Sequence, residues 1–212
     1  MRRVFVDPGA PQRDAIEEAA TWIRDAGIVA IPTDTLYGLA VDPFSRAAVA
    51  RVFEVKGRPA DRTLPLVAAS LAQVEAHLGK LPPLAARLAG RFWPGPLTLL
   101  VPAAPALAGG VVGPGGRVGV RVPAHAVARS VCAAAGQPVT ATSANVSGAP
   151  ATADPDVVER TLGTAIDFLL DTGRTPGGPP STIVDVTEGA IRVIRPGAIG
   201  LDEIQACLQH NG

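Results

Sequence analysis

Several things are missing from these 212 residues, and each absence closes a route. No run of about eighteen apolar residues exists, so no membrane-spanning helix is expected. The N-terminus, MRRVFVDPGAP, carries charge but no apolar signal-peptide core, which leaves a cytoplasmic location as the default expectation. The only cysteines, Cys132 and Cys207, lie far apart, form no CxxC pair and read as free thiols. The three histidines, His77, His125 and His210, show no metal-ligand spacing; His77 reads as a surface helix residue, His210 as tail. His125 has two readings, a group near a site or a helix start. No GxxxxGK[ST] occurs and no GxGxxG follows the first apolar strand, so the familiar phosphate loops are excluded. GxSxG is absent, which removes the hydrolase elbow. Lysine is scarce, occurring only as Lys56 and Lys80 in a chain that otherwise uses arginine.

What is present fills a core. Hydrophobic residues make up 47% and charged residues 18%, which argues against disorder, and the length suits one large domain or two small ones. Net charge is zero but uneven: residues 46–129 hold 11 Lys/Arg against 3 Asp/Glu, while both flanks are acidic. A basic middle can attract phosphate esters or nucleic acid.

Read in order, the pattern predicts a strand at 3–6 and a helix over 11–26 with Ile16, Ala19, Ala20 and Ile23 on one face, closed by Gly27. It continues with strands at 28–31, 64–69, 97–101, 117–122, 139–142 and 165–170, and a hairpin from 181–186 and 190–194. Helices are expected to about residue 54 (capped by Ser45), over 70–76 (capped by Ser70), 84–91, 124–134 and 155–162, with a last one capped by Asp202. Segment 103–116, rich in Ala, Gly and Pro, reads as a mobile loop. Helices and strands alternate early and strands crowd late. The expected fold class is α/β, a twisted sheet of mixed parallel and antiparallel strands with flanking helices. No linker or repeat divides the chain, so 1–212 is read as one domain.

Four strand ends deliver polar groups to loops, where α/β sheets bind ligands. These are Thr33-Asp34-Thr35 with Tyr37; Lys56 and Arg58; Thr142-Ser143-Ala144-Asn145-Val146-Ser147-Gly148; and Ser181-Thr182 with Arg195-Pro196-Gly197. Lys56 offers a point charge and Arg58 a planar fork, a pair suited to polyphosphate. The 142–148 cluster packs hydroxyls and an amide before a glycine, the composition of an anion nest. A capping turn would explain one Ser or Asn there, but not the whole cluster.

IPTDTLYGLA (31–40), KGRP (56–59), FWPGPLT (92–98), RVPAH (121–125), TSANVSG (142–148), STIVDV (181–186) and IRPGAI (194–199) together resemble, in order, the YrdC-like family of threonylcarbamoyl-adenylate synthases, over about residues 12–200. The resemblance implies an α/β enzyme with a basic concave cleft. It implies a nucleotidyltransferase that joins L-threonine, bicarbonate or CO2 and ATP into L-threonylcarbamoyl-adenylate and pyrophosphate. A threonylcarbamoyl-transferase complex would then modify adenosine 37 of tRNA. Carried over by position, Lys56 and Arg58 would be catalytic and hold phosphates. Arg121, Thr142, Ser143, Asn145, Ser181 and Arg195 would line the nucleotide, and Thr33, Thr35, Tyr37 and Arg58 the threonine. Mg2+ would come with the triphosphate. One departure stands out. Many members carry Asn-Pro-Leu and then a histidine after KxR; here Thr63-Leu64 replace the Asn-Pro step and no histidine follows in 62–70. Two alternatives stay open: a double-stranded RNA-binding or ribosome-assembly protein using the basic face, and a carbamoyl-adenylate-forming enzyme.

Overall fold

The computed structural model describes residues 1–57 and 63–209. Among these residues the strands sort into two sheets, both mixed and both flanked by helices, in agreement with the expected class. The first sheet runs β1 (Arg2–Phe5), β9 (Phe168–Asp171), β2 (Val29–Ile31), β3 (Gly38–Ala40), β8 (Thr142–Ser143). Its first three strands are parallel and its last two join antiparallel. The second sheet runs β11 (Arg192–Arg195), β10 (Thr182–Asp185), β5 (Leu97–Pro102), β6 (Arg117–Arg121), β4 (Leu66–Val67), β7 (Val139–Thr140).

The strand expected at 139–142 is two strands in two sheets. Thr140 pairs with Leu66 in one sheet, and Thr142 pairs with Leu39 in the other. Ala141 sits at the crossing and donates its N–H to Pro65 O at 2.8 Å. The Thr140 hydroxyl bonds to both Leu39 O and Val41 N–H, which satisfies these two buried backbone groups where the chain changes sheets. This crossing sets the two sheets side by side, with the polar strand ends at one opening.

Helix α1 (Arg13–Arg24) buries Ile16, Ala19, Ala20 and Ile23 as its spacing predicts, against α5 (Ala126–Ala135) and the first sheet. Its ending differs from the glycine-cap expectation: Ala26 takes the left-handed conformation at φ +60°. Gly27 is needed for space, because a Cβ there would stand 2.8 Å from Trp22 O. Ser45 and Ser70 cap α2 (Arg46–Lys56) and α3 (Leu71–Leu78) as expected, each hydroxyl accepting a backbone N–H at 3.2 Å. Helix α4 (Pro83–Phe92) starts on proline, and Asp154 caps α6 (Pro155–Leu162). Asp202 does not cap the last helix, α7 (Leu201–Gln209); it lies within the first turn, and Glu203 reaches back to the Gly200 N–H at 3.0 Å.

Segment 103–116 corrects a further expectation. It is anchored rather than free: Leu107, Ala108 and Val111 are buried, Ala108 N–H donates to Pro43 O, and Leu64 N–H donates to Gly110 O. Lifting it as a lid would expose three apolar side chains. No helix among the described residues is long and apolar enough to cross a membrane.

Candidate active site

The opening between the sheets is a cleft of about 860 Å³, within the range of small-molecule sites. Thr33, Thr35 and Tyr37 come to it from the first sheet, on the loop between β2 and β3. Thr98, Arg121, Ser181 and Arg195 come from the second, Thr142, Ser143 and Asn145 from the chain that crosses between them, and Lys56 from the end of α2. Ten of the residues singled out in sequence therefore line one space. The eleventh, Arg58, lies outside the described residues.

Lys56 is the last residue of α2, followed by Gly57 in the left-handed conformation at φ +55°. A helix C-terminus favours a cation. Lys56 is buried, and its Nζ donates to Ser143 O, to Asn145 O at 2.7 Å and to Asn145 Oδ1 at 3.1 Å. Ser147 N–H returns a bond to Lys56 O at 2.8 Å. The Ser143 hydroxyl donates to Asn145 Oδ1 at 2.5 Å, and Asn145 Nδ2 donates to Ala149 O at 2.6 Å. The expected phosphate cation and the expected anion loop are thus one unit, with Lys56 organising the loop from below as well as lining the cleft.

The Thr33–Thr35 loop is equally fixed. The two hydroxyls stand 3.1 Å apart, Thr33 Oγ1 donates to Leu36 O, and Thr35 O accepts from both Thr175 Oγ1 and Gly177 N–H at 2.8 Å. Tyr37 lines the cleft, but its hydroxyl donates to Gly173 O at 2.8 Å and accepts the Thr172 N–H. Burial raises the phenol pKa, so this hydroxyl stays protonated and tethers the 172–178 loop.

Opposite them, Arg195 donates through Nη2 to Ser181 O at 2.7 Å and to Ser181 Oγ at 3.1 Å. Ser181 Oγ lies 2.9 Å from Thr98 Oγ1. Arg121 is buried and donates to Asp34 Oδ1 at 2.8 Å. Burial lowers the pKa of both arginines, and the positive charge of Arg121 adds to the lowering at Arg195. Both sit far above neutrality in any protein and stay charged.

Two groups escaped the sequence reading. Thr98 is a hydroxyl among leucines in LTLL, and the strand alternation that puts Gly119 and Arg121 on one face could have flagged its neighbour. The Asp34–Arg121 pair joins residues distant in sequence, and no local pattern marks it. His125 stands at the N-cap of α5 without capping it; its Nδ1 is buried with no partner among the described residues, and burial lowers its pKa. Among the described residues no cluster of three His, Cys, Asp or Glu side chains could share a metal ion.

A mixed α/β framework with a cationic, hydroxyl-lined cleft at its strand ends has the chemistry that would suit a phosphorylated small molecule. The family model for Sua5, YciO and YrdC, described as "Telomere recombination", matches residues 21–197, and the chain belongs to that family. A threonylcarbamoyl-AMP synthase of Pyrococcus abyssi is 40% identical over 198 residues, 91% of this chain and 58% of the relative. One of Halorhodospira halophila is 39% identical over 82% of this chain and 92% of its own length. The crystal structure of P. abyssi Sua5 complexed with L-threonine superposes with a TM-score of 0.92 at 37% identity, covering 98% of this chain and 61% of that one. The chain thus spans well under two thirds of the length of the P. abyssi relative.

Proposed function

We propose that the cleft binds ATP and L-threonine together and makes L-threonylcarbamoyl-adenylate. The observation that carries this reading is the joining, at one opening, of a cation-organised Ser143–Asn145 loop, two arginines and a fixed pair of threonine hydroxyls. The named synthases among its relatives, and the threonine held by P. abyssi Sua5, favour the same substrates.

In this reading the neutral amine of threonine adds to CO2, giving an N-carboxylate and releasing a proton; from bicarbonate, water is lost instead and no net proton is released. A carboxylate oxygen of that carbamate forms a bond to the α-phosphorus of ATP. The bond from that phosphorus to the α–β bridging oxygen breaks, and pyrophosphate leaves. Negative charge shifts over the phosphoryl oxygens, so preorganised cations are the useful catalysts. Lys56 and Arg58 are assigned to the phosphates. Arg121, Thr142, Ser143, Asn145, Ser181 and Arg195 are assigned to the nucleotide. Thr33 and Thr35, with Arg58, are assigned to threonine, and Tyr37 serves that pocket by holding the 172–178 loop behind Thr35. Magnesium enters as part of the MgATP substrate. Residues 1–212 act as one catalytic domain in the cytoplasm, handing product to a transferase complex that modifies tRNA adenosine 37.

The test is pyrophosphate release from ATP and bicarbonate across a panel of amino acids. Threonine-dependent release supports the reading. Release that needs carbamoyl phosphate instead supports the carbamoyl-adenylate alternative. Tight binding of double-stranded RNA with no turnover supports the RNA-binding one.

A further inference from the structure

Asp34 sits between two threonines assigned to substrate, yet has itself no part in the reading above. Its carboxylate is mostly buried, with 12% of the side chain exposed. One oxygen takes the Arg121 bond; the other, Oδ2, is buried with no partner among the described residues. A half-satisfied carboxylate is costly in a low-dielectric interior. Both ends of the pair are rigidly mounted. Asp34 rides on the loop pinned through Thr33 and Thr35, and Arg121 ends strand β6 of the other sheet. The ion pair therefore spans the two sheets. It also bears on the cleft's charge. Arg195 makes its bonds to neutral Ser181 oxygens and feels the like charge of Arg121, which Asp34 offsets.

We propose that Asp34 is a positioning residue that acts through Arg121, holding one edge of its guanidinium so that the other donors face the bound substrates in a fixed plane. This rests on the reading of the cleft as an ATP and threonine site. Asp34 takes no proton from substrate in this account. The obvious competitor is a general base, since Oδ2 is an open acceptor. The two differ in what asparagine does. An amide oxygen at the same place still accepts from Arg121 Nη1, but an amide cannot take up a proton.

The experiment is a double-mutant cycle on threonine-dependent pyrophosphate release, per folded molecule, with Asp34→Ala, Asp34→Asn, Arg121→Ala and the Asp34→Ala/Arg121→Ala pair. Loss of orientation is expected to lower kcat/KM about 100-fold in Asp34→Ala. Asp34→Asn should recover most of that loss. The double variant should be no worse than Arg121→Ala alone. A purely structural role would lower the melting temperature and the folded fraction while leaving kcat and KM of the folded protein unchanged, and would overturn the proposal. So would losses that add across the pair, or an Asp34→Asn as inactive as Asp34→Ala, both of which mark a group acting on its own. If Asp34→Ala does not fold, the cycle runs with Asp34→Asn/Arg121→Ala, which must again match Arg121→Ala. A wild type with no threonine-dependent release is a separate result. It removes the reading of the cleft and the proposal with it, whereas additive losses from an active wild type remove the proposal alone.

Discussion

Arg3 and Arg121 are both arginines held by carboxylates on an α/β framework, yet their surroundings have opposite sense. Arg3, on the edge strand β1, meets Asp171 at 2.7 Å, Asp156 at 2.6 Å and Glu159 at 2.5 Å. The hydrogen bonds to Asp171, Asp156 and Glu159, in that order, raise its pKa above the ordinary value. Three carboxylates take up its donors, which is how a cation is used as a fastener between a strand and helix α6. Among the described residues Arg121 has Asp34 alone as its side-chain acceptor; it is more deeply buried, and it lines the cleft with donors to spare. Burial pulls its pKa the other way. A buried arginine with fewer acceptors than donors is suited to a ligand that brings its own. In the proposed reading, the difference separates a structural cation from one poised for substrate.

The comparison breaks first at Arg121. Replacing it with alanine should cut kcat/KM for threonine-dependent pyrophosphate release by about 10²–10³, the size seen when a preorganised donor is removed. Near-normal turnover would put Arg121 in the same class as Arg3. Lys56→Met comes next, since it should both slow turnover and loosen the loop. Stability should fall by about 1–3 kcal/mol, because Ser143 O and Asn145 O lose a charged donor, and a denaturant titration reads this directly. Arg3→Ala should lower the melting temperature by about 2–4 °C through partly exposed ion pairs while leaving turnover within about threefold of wild type. A large loss of activity there would erase the distinction.

A third arginine sharpens the same point at acid pH. Arg117 begins the strand that Arg121 ends, and is held by Asp185 and Glu188. Burial alone would raise the Asp185 pKa, but the Thr187 hydroxyl and N–H and the Arg117 charge outweigh it, and the net shift is downward. A depressed carboxylate contributes stability that is present above its unfolded pKa of about 3.9 and is lost as pH falls through the lower folded value. Unfolding measured from pH 7 to pH 2 should therefore show a shallower acid decline in Asp185→Asn than in wild type. Identical slopes would mean the carboxylate is not held in this way. The smallest effect concerns thiols. Burial pushes Cys132 up to about 12, so thiol reagents should label the native chain at Cys207 only.

The legible parts of the fold were those governed by local chemistry. Ser45 and Ser70 announced their helices because a hydroxyl before an apolar repeat satisfies a free N–H. Ile16, Ala19, Ala20 and Ile23 marked one face by spacing alone. Residues 139–142 read as one strand because nothing local says that Thr140 and Thr142 pair in different sheets; that is decided by Leu66 and Leu39, far away in sequence. Segment 103–116 looked mobile from its glycines and prolines, while its three buried side chains find their partners through tertiary packing. The site shows the same division. Clusters of hydroxyls and cations were visible as runs. That Lys56 would hold the Ser143–Asn145 loop, and Asp34 the Arg121 side chain, depended on contacts between residues more than eighty positions apart.

The most direct measurement follows three labels into one product. Threonine, bicarbonate carrying a labelled carbon and ATP labelled at the α-phosphate are incubated with the chain, and the nucleotide product is analysed by mass. The account predicts one compound containing threonine, the bicarbonate carbon and AMP. A threonyl-AMP lacking that carbon, formed by direct attack of the amino-acid carboxylate on ATP, would contradict it.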